Sequence, residues 1–259
     1  MKALHALLLG VSLCSRAFAQ QPFYTDDADV TERHRFHMEI SNQQSWLQRS
    51  ALPATKQSTT VFQLNYGLTR NFEIGMDSPL IGLYQQLTPT TLGNGDTNIT
   101  FKLRLRPEET SSRMPSITLS CAIETPTGSV KKQLGSGIAD YGCNSVVQKL
   151  IGLWTLRVNN GAVFSGNTLT GLVGLRAKGL VYTGSGSITR DVLPRLLLGV
   201  ELNGSAAKQG TVLGKSTLQT QFGGKFAWKE DLSIDFGVLA GWFSGAPRTG
   251  LQIGFSKDF

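Results

Sequence analysis

Apolar and polar residues alternate along most of the chain beyond residue 33. Thr97, Ile99, Phe101, Leu103 and Leu105 interleave with Asn98, Thr100, Lys102, Arg104 and Arg106, and Leu218, Phe222 and Phe226 interleave with Gln219, Gln221 and Lys225. A period of two marks a β-strand with one face in an apolar medium and the other wet. The pattern predicts about twelve such strands, at 34–46, 59–67, 72–80, 96–106, 116–125, 138–149, 154–164, 175–188, 194–205, 215–228, 232–242 and 249–259. Weak alternation over 165–175 leaves that count open by two. Their connections alternate in length: short at 68–71, 107–114, 150–153, 189–193 and 229–231, longer at 47–58, 81–95, 126–137, 206–214 and 243–248. An even number of antiparallel strands, with short turns at one end and long loops at the other, is the organisation of an outer-membrane barrel. The expected fold class is therefore all-β, a single antiparallel transmembrane β-barrel.

The aromatic residues divide the same way. Trp154, Trp228, Tyr66, Phe72 and Phe259 lie beside the short links or the terminus, and Trp46, Phe164 and Trp242 lie at the opposite strand ends. Two belts suit two membrane interfaces, whereas a soluble β-sandwich has no reason to sort its aromatics so. In the last strand Leu251, Ile253, Phe255 and Phe259 share one face, and Phe255 and Phe259 are the expected signal for the barrel-assembly machinery. Lys257 departs from this pattern, standing on that face where such barrels carry an apolar residue.

Composition adds compartment and excludes alternatives. Lys2, the Leu7–Leu9 apolar run and Ala17-Phe18-Ala19 read as an export signal over 1–19, leaving one barrel domain over 20–259. Cys14 falls within that signal, and Leu13 before it does not fit a lipidation site. The longest later apolar stretch, Leu196 to Val200, is far short of the ~20 residues of a spanning helix. Loss of Lys2 and Arg16 lowers the formal net charge from +7 to +5. That excess is dispersed, so no nucleic-acid partner is expected. The expected location is the outer membrane, with membrane lipid and a small-molecule solute as partners.

A Lys or Arg facing lipid at the midplane costs ~2–4 kcal/mol, so the charged face must point inward. By parity Glu39, Glu73, Asp77, Glu124, Asp140, Glu201 and Asp235 share the lumen with Lys102, Arg104, Arg106, Arg157, Arg195 and Lys225. Long side chains of both signs imply a narrow, partly occluded channel that selects by charge and hydrogen bonding. Lys102, Arg104, Arg106 and Arg157 are expected to favour anions near one end. Cys121 and Cys143 lie symmetrically about the 126–137 loop, so a symmetric hairpin sets them opposite each other, within disulfide reach. Their alternative is a pair of small apolar residues on the lipid face.

Several short motifs resemble the phenol-degradation meta-pathway transporter family. They are Pro22-Phe23-Tyr24-Thr25-Asp26-Asp27 with Glu39, Gly93-Asn94-Gly95-Asp96-Thr97 with Lys102, Glu124-Thr125-Pro126-Thr127-Gly128, and Leu134-Gly135-Ser136-Gly137 with Asp140. The resemblance covers most of the mature chain and implies an outer-membrane barrel passing small solutes, aromatic or hydrophobic ones among them. It carries over no catalytic or binding residue. The expected function is passive passage through a narrow polar lumen, the alternatives being a closed structural or adhesive barrel with interacting loops and, behind it, a barrel lipase. A lipase needs a Ser–His pair on the lipid side, but His37 shares the inward parity of Glu39. His34 and His37, three apart, fall on opposite faces of a strand, so no metal and no cofactor is expected. Gly93-x-Gly95 and Gly135-Ser136-Gly137 lack the strand-to-helix context of phosphate loops and read as loop glycines.

Overall fold

A computed structural model describes residues 22–259 except 52–53, 87–88, 110–112, 165–179, 208–215 and 244. The export signal and the weakly alternating 165–175 stretch thus lie outside the described residues. The strands are β1 (Phe36–Trp46), β2 (Ala54–Thr69), β3 (Phe72–Gln85), β4 (Thr91–Asn94), β5 (Thr97–Arg106), β6 (Ser116–Thr125), β7 (Asp140–Ile151), β8 (Trp154–Phe164), β9 (Leu180–Leu193), β10 (Leu196–Ala207), β11 (Thr217–Ala227), β12 (Leu232–Gly241) and β13 (Thr249–Asp258). All ladders are antiparallel; every strand but β4 pairs with the next wall strand, and β1 pairs β13, from His37↔Asp258 to Trp46↔Thr249, closing a twelve-stranded barrel. Closure removes every free edge, which a sheet in hydrocarbon requires. Among the described residues the only helical turns are the short ones at Arg49–Ala51 and Val130–Lys132.

Most strand boundaries fall within a few residues of the sequence reading. β4 is the exception: β3 runs on to Gln85, and Thr91–Asn94 folds back against Leu80–Leu83 as a ribbon rising from the wall. The other departure is at the β9–β10 hairpin. β9 continues through Leu193, and the turn is Pro194–Arg195.

The wall turns its apolar face outward. Phe62, Leu64, Met76, Leu103, Leu119, Val158, Phe222, Val238, Leu251, Ile253 and Phe255 are exposed, while Glu39, Thr118, Thr189, Glu201, Gln219, Gln221 and Asp235 are buried. In water this would be an inverted protein; in a bilayer it is the stable arrangement, because lipid covers the exposed face. The two aromatic belts lie at opposite ends. At the short-turn end Arg190 lies over Trp154, Lys257 over Phe259, and Phe36 packs against Tyr66. At the long-loop end Lys56 lies over Trp46, and Trp242 donates to Thr220. Lys257, the outward cation of the last strand, is therefore held at the interface, with Asp231 3.9 Å away. The barrel is an outer-membrane, multi-pass architecture.

Candidate functional site: a lumen crossed by the N-terminal segment

Residues 22–35, Pro-Phe-Tyr-Thr-Asp-Asp-Ala-Asp-Val-Thr-Glu-Arg-His-Arg, have no strand period, and their path is set by contacts with the inner wall. Before entering β1 the chain turns at His34, which has φ 62°. His34 N donates to Gly67 O at 2.7 Å and Gly67 N to Arg35 O at 3.1 Å. A side chain at Gly67 would collide with the backbone of Glu32, so only glycine lets the segment cross β2 there.

From that turn the segment spans the short-turn half of the lumen as a strap. Thr31 N donates to Glu73 Oε2 at 2.6 Å, Thr118 Oγ1 to Ala28 O at 2.6 Å, Gln148 Nε2 to Asp29 Oδ2 at 3.2 Å and Thr25 N to Glu201 Oε2 at 2.5 Å. Gln221 donates to Pro22 O, and the Tyr24 hydroxyl to Gln43 Oε1. These partners belong to β3, β6, β7, β10, β11 and β1, so the strap is fastened around most of the circumference. Directly paired Gly199 and Gly223 leave a notch in the wall where Phe23 and Pro22 approach; added Cβ atoms would meet each at 3.1 Å.

Lys102 is the electrostatic centre of this arrangement. Its Nζ lies 2.9 Å from Asp26 Oδ1 and 2.8 Å from Asp27 Oδ1, with little of its side chain accessible. Burial alone would raise the Asp27 carboxyl, but the Lys102 ammonium, helped by Arg157 and by the Asp29 N–H, holds it below the usual carboxylate value. For Asp26 burial wins over Lys102 and the carboxyl is pushed up, as it is for Asp29. One cation serving two carboxylates explains the asymmetry.

Between the strap and β2, β3, β5 and β6 lies a cavity of about 240 Å³ bounded by Phe23, Tyr24, Asp26, Gln63, Glu73 and Asp77, with Lys102 beside them. It holds roughly eight waters at ~30 Å³ each, or one small organic molecule.

The long-loop end is narrowed by a second device. Asp96, between β4 and β5, accepts from Gly128 N at 2.8 Å and Ser136 N at 2.7 Å, pulling the 126–139 loop inward. Thr127 Oγ1 accepts from Thr97 N at 2.9 Å. Leu134 is thereby buried against the inward-facing Ile81 and Leu83. A Cβ at Gly135 would stand 2.6 Å from Asp96 Oδ1, which is why the close approach needs glycine there. The glycine-rich motifs of the sequence are thus the parts of one lid.

Of the residues assigned inward by parity, Glu39, Glu73, Lys102, Asp140, Arg157, Glu201 and Asp235 are buried. Asp77, Arg104, Glu124 and Lys225 are half-buried on the same face; Arg106 is half-buried too, but a bulge between Arg104 and Arg106 sets it opposite Ile117, off the inward register. Arg195 is corrected: it is exposed in the β9–β10 turn, where Pro194 ends the strand, and takes no part in the lumen. Arg104 is tied to the β2–β3 turn through Arg70 O, and Arg157 Nε donates to Gln148 Oε1 at 2.7 Å. Cys121 and Cys143 oppose each other across β6 and β7 and form a disulfide, Cα–Cα 4.1 Å. It lies on the outward face with Leu119 and Tyr141, so both sequence readings of the pair hold in part. His37 faces inward, its Nδ1 2.7 Å from Asp258 Oδ1. The strap itself was missed; a run of buried residues without periodicity carries no local signal of what buries it.

No family model and no curated protein matches the chain in sequence. Solved structures match it in shape. An outer-membrane channel from Pseudomonas putida F1 superposes with a TM-score of 0.69 at 15% identity, covering 90% of this chain and 98% of that one. The NanC porin gives 0.57 at 9% identity over 86% and 98% of the two chains, and the KdgM porin 0.53 at 12% over 86% and 99%. At such identities the likeness is one of fold: the chain has the architecture of outer-membrane channels and porins.

Proposed function

We propose that this protein is a passive outer-membrane channel in which small solutes move through the lumen past the strap. The observation that carries the reading is the cavity between strap and wall, walled by Tyr24 and Phe23 on one side and by Gln63, Glu73 and Asp77 on the other. Aromatic surface beside polar groups suits compact molecules with a flat apolar body and hydrogen-bonding substituents. The fold shared with channels and porins agrees with it. So does the family resemblance, since its motifs meet in two assemblies: the first in the strap fastened to Lys102, the glycine-rich ones in the lid. No enzyme activity is proposed. His37 points into the lumen, away from the lipid face where a hydrolase of membrane lipids would hold its base, and His34 faces Tyr66 at the rim.

Swelling of liposomes loaded with the folded protein tests the reading. Phenols, amino acids and monosaccharides should enter and trisaccharides should not. Failure of every solute to enter would favour the closed structural barrel, whose support is how much of the lumen the strap and lid fill.

A further inference from the structure

The inward carboxylates are not scattered. Cross-strand registers place Glu39 opposite Gln63, Gln63 opposite Asp77, Asp77 opposite Asn98, Asn98 opposite Glu124 and Glu124 opposite Asp140. This is one unbroken row over six neighbouring strands, and every member lies on the inward face. A row perpendicular to tilted strands climbs as it passes around a barrel. Glu39 stands near the start of β1 at the short-turn end, and Asp140 opens β7 at the long-loop end. The row therefore rises as a ramp from one mouth toward the other, and Gln63 and Asp77 on it also bound the cavity beside the strap.

Among the described residues no Lys or Arg is bonded to Glu39 or Asp77, although Lys225, paired in register with Asp235, acts electrostatically on Glu39. Lys102 is committed to Asp26 and Asp27 on the strap, and Arg104 to the β2–β3 turn. Asp77 is met by the amide of Asn98 at 2.9 Å, a neutral donor. Glu39 is 1% exposed, and among the described residues neither of its carboxylate oxygens has a hydrogen-bond partner; His37 Nε2 stands 4.0 Å away. A buried carboxylate aimed into a lumen and left without a donor is a place for a ligand that brings its own positive charge. Strands ~4.8 Å apart put Glu39 and Asp77, and then Asp77 and Glu124, roughly 10 Å from each other, about one Debye length in physiological salt. A cation leaving one carboxylate thus already feels the next.

We propose that this ramp makes the channel cation-selective, with Glu39 and Asp77 the specificity-determining residues, and that its preferred solutes are small cations, inorganic or organic with an ammonium-type group. An organic cation in the cavity meets carboxylates on the β3 side and the Tyr24 ring on the strap side, a favourable setting for a positive charge. The proposal rests on the channel reading above.

Reversal potentials in a potassium chloride gradient across planar bilayers test it, using the full mature chain with its barrel state checked by heat-modifiable mobility. The wild type is expected to pass potassium several-fold better than chloride. Glu39→Gln and Asp77→Asn should each lower that ratio at least two-fold, whereas Asp231→Asn at an exposed turn should leave it unchanged. A conducting channel that is unselective or prefers chloride overturns the ramp and leaves the channel reading standing, as does an unchanged ratio in both variants. Folded protein that passes no current overturns both.

Discussion

Lys102 is the residue on which the interior turns, because two strap carboxylates depend on it. Lys102→Met would leave both without their cation; breaking a buried pair costs ~3–5 kcal/mol. That sum falls on the strap and not on the wall, whose ladders are untouched. We expect the variant to keep its barrel and heat-modifiable mobility while backbone amides of residues 24–31 lose hydrogen-exchange protection; retained protection would show that the strap is held by other means. The same probe has a pH dependence. Asp27 sits below its unfolded value, so its contribution to docking is complete above pH ~4 and is lost as the pH falls through its folded pKa. Asp26 and Asp29 are raised, so what they contribute is present at low pH and lost as the pH rises through their folded pKa. Protection of the strap, corrected for intrinsic exchange, should therefore fall on acidification below pH 4, where Asp27 gives up its charge; protection that is unchanged or higher at pH 2.5 than at pH 5 would contradict the role given to Asp27. Single residues differed in how far the sequence revealed them. The cysteine pair followed from hairpin symmetry alone, since register is a local property. The partners of Lys102 did not, because they lie 75 and 76 residues away in a segment without a pattern. Parity shows which way Lys102 and Arg104 point and says nothing of what they meet: the strap for the first, the β2–β3 turn for the second.

The wall strands were legible because each must show lipid one face and the lumen the other, and that demand writes a period of two into every strand. β4 was not, since four residues, Thr91–Asn94, are too few for a period to show. Nor was the strap, whose residues carry no period and find their partners only on distant strands of the wall. The lid lies between these cases: its glycines were visible, and their purpose was not. Asp96 supplies it, accepting two backbone N–H groups at charge-assisted strength, ~1.5–3 kcal/mol each. Asp96→Ala should release the 126–139 loop and expose Leu134, so limited proteolysis of intact cells or proteoliposomes should cut within Lys131–Lys132 at least ten-fold faster than in the wild type. Equal cleavage rates would mean that Leu134 alone holds the lid.

At the scale of the whole molecule, twelve strands enclose a lumen too wide to be filled by their own side chains alone, which left open would be less selective. The strap and the lid occupy it from opposite ends. The disulfide adds to the wall from outside: Cys121 and Cys143 close a loop of about 22 residues, a cross-link of roughly 3 kcal/mol in the chain-entropy account. Cys121→Ala with Cys143→Ala should still form a barrel that unfolds at a lower temperature, and an unchanged transition would show the bond to be idle. In the proposed channel, solute passes beside a strap that remains in place and sets the constriction. Single-channel conductance in planar bilayers, comparing a protein of residues 20–259 with a variant that also lacks residues 22–31, tests this passage most directly. The account predicts a small, steady conductance for the first and one at least three-fold larger for the second; equal conductances, or a first protein that never conducts and a second that always does, would contradict it.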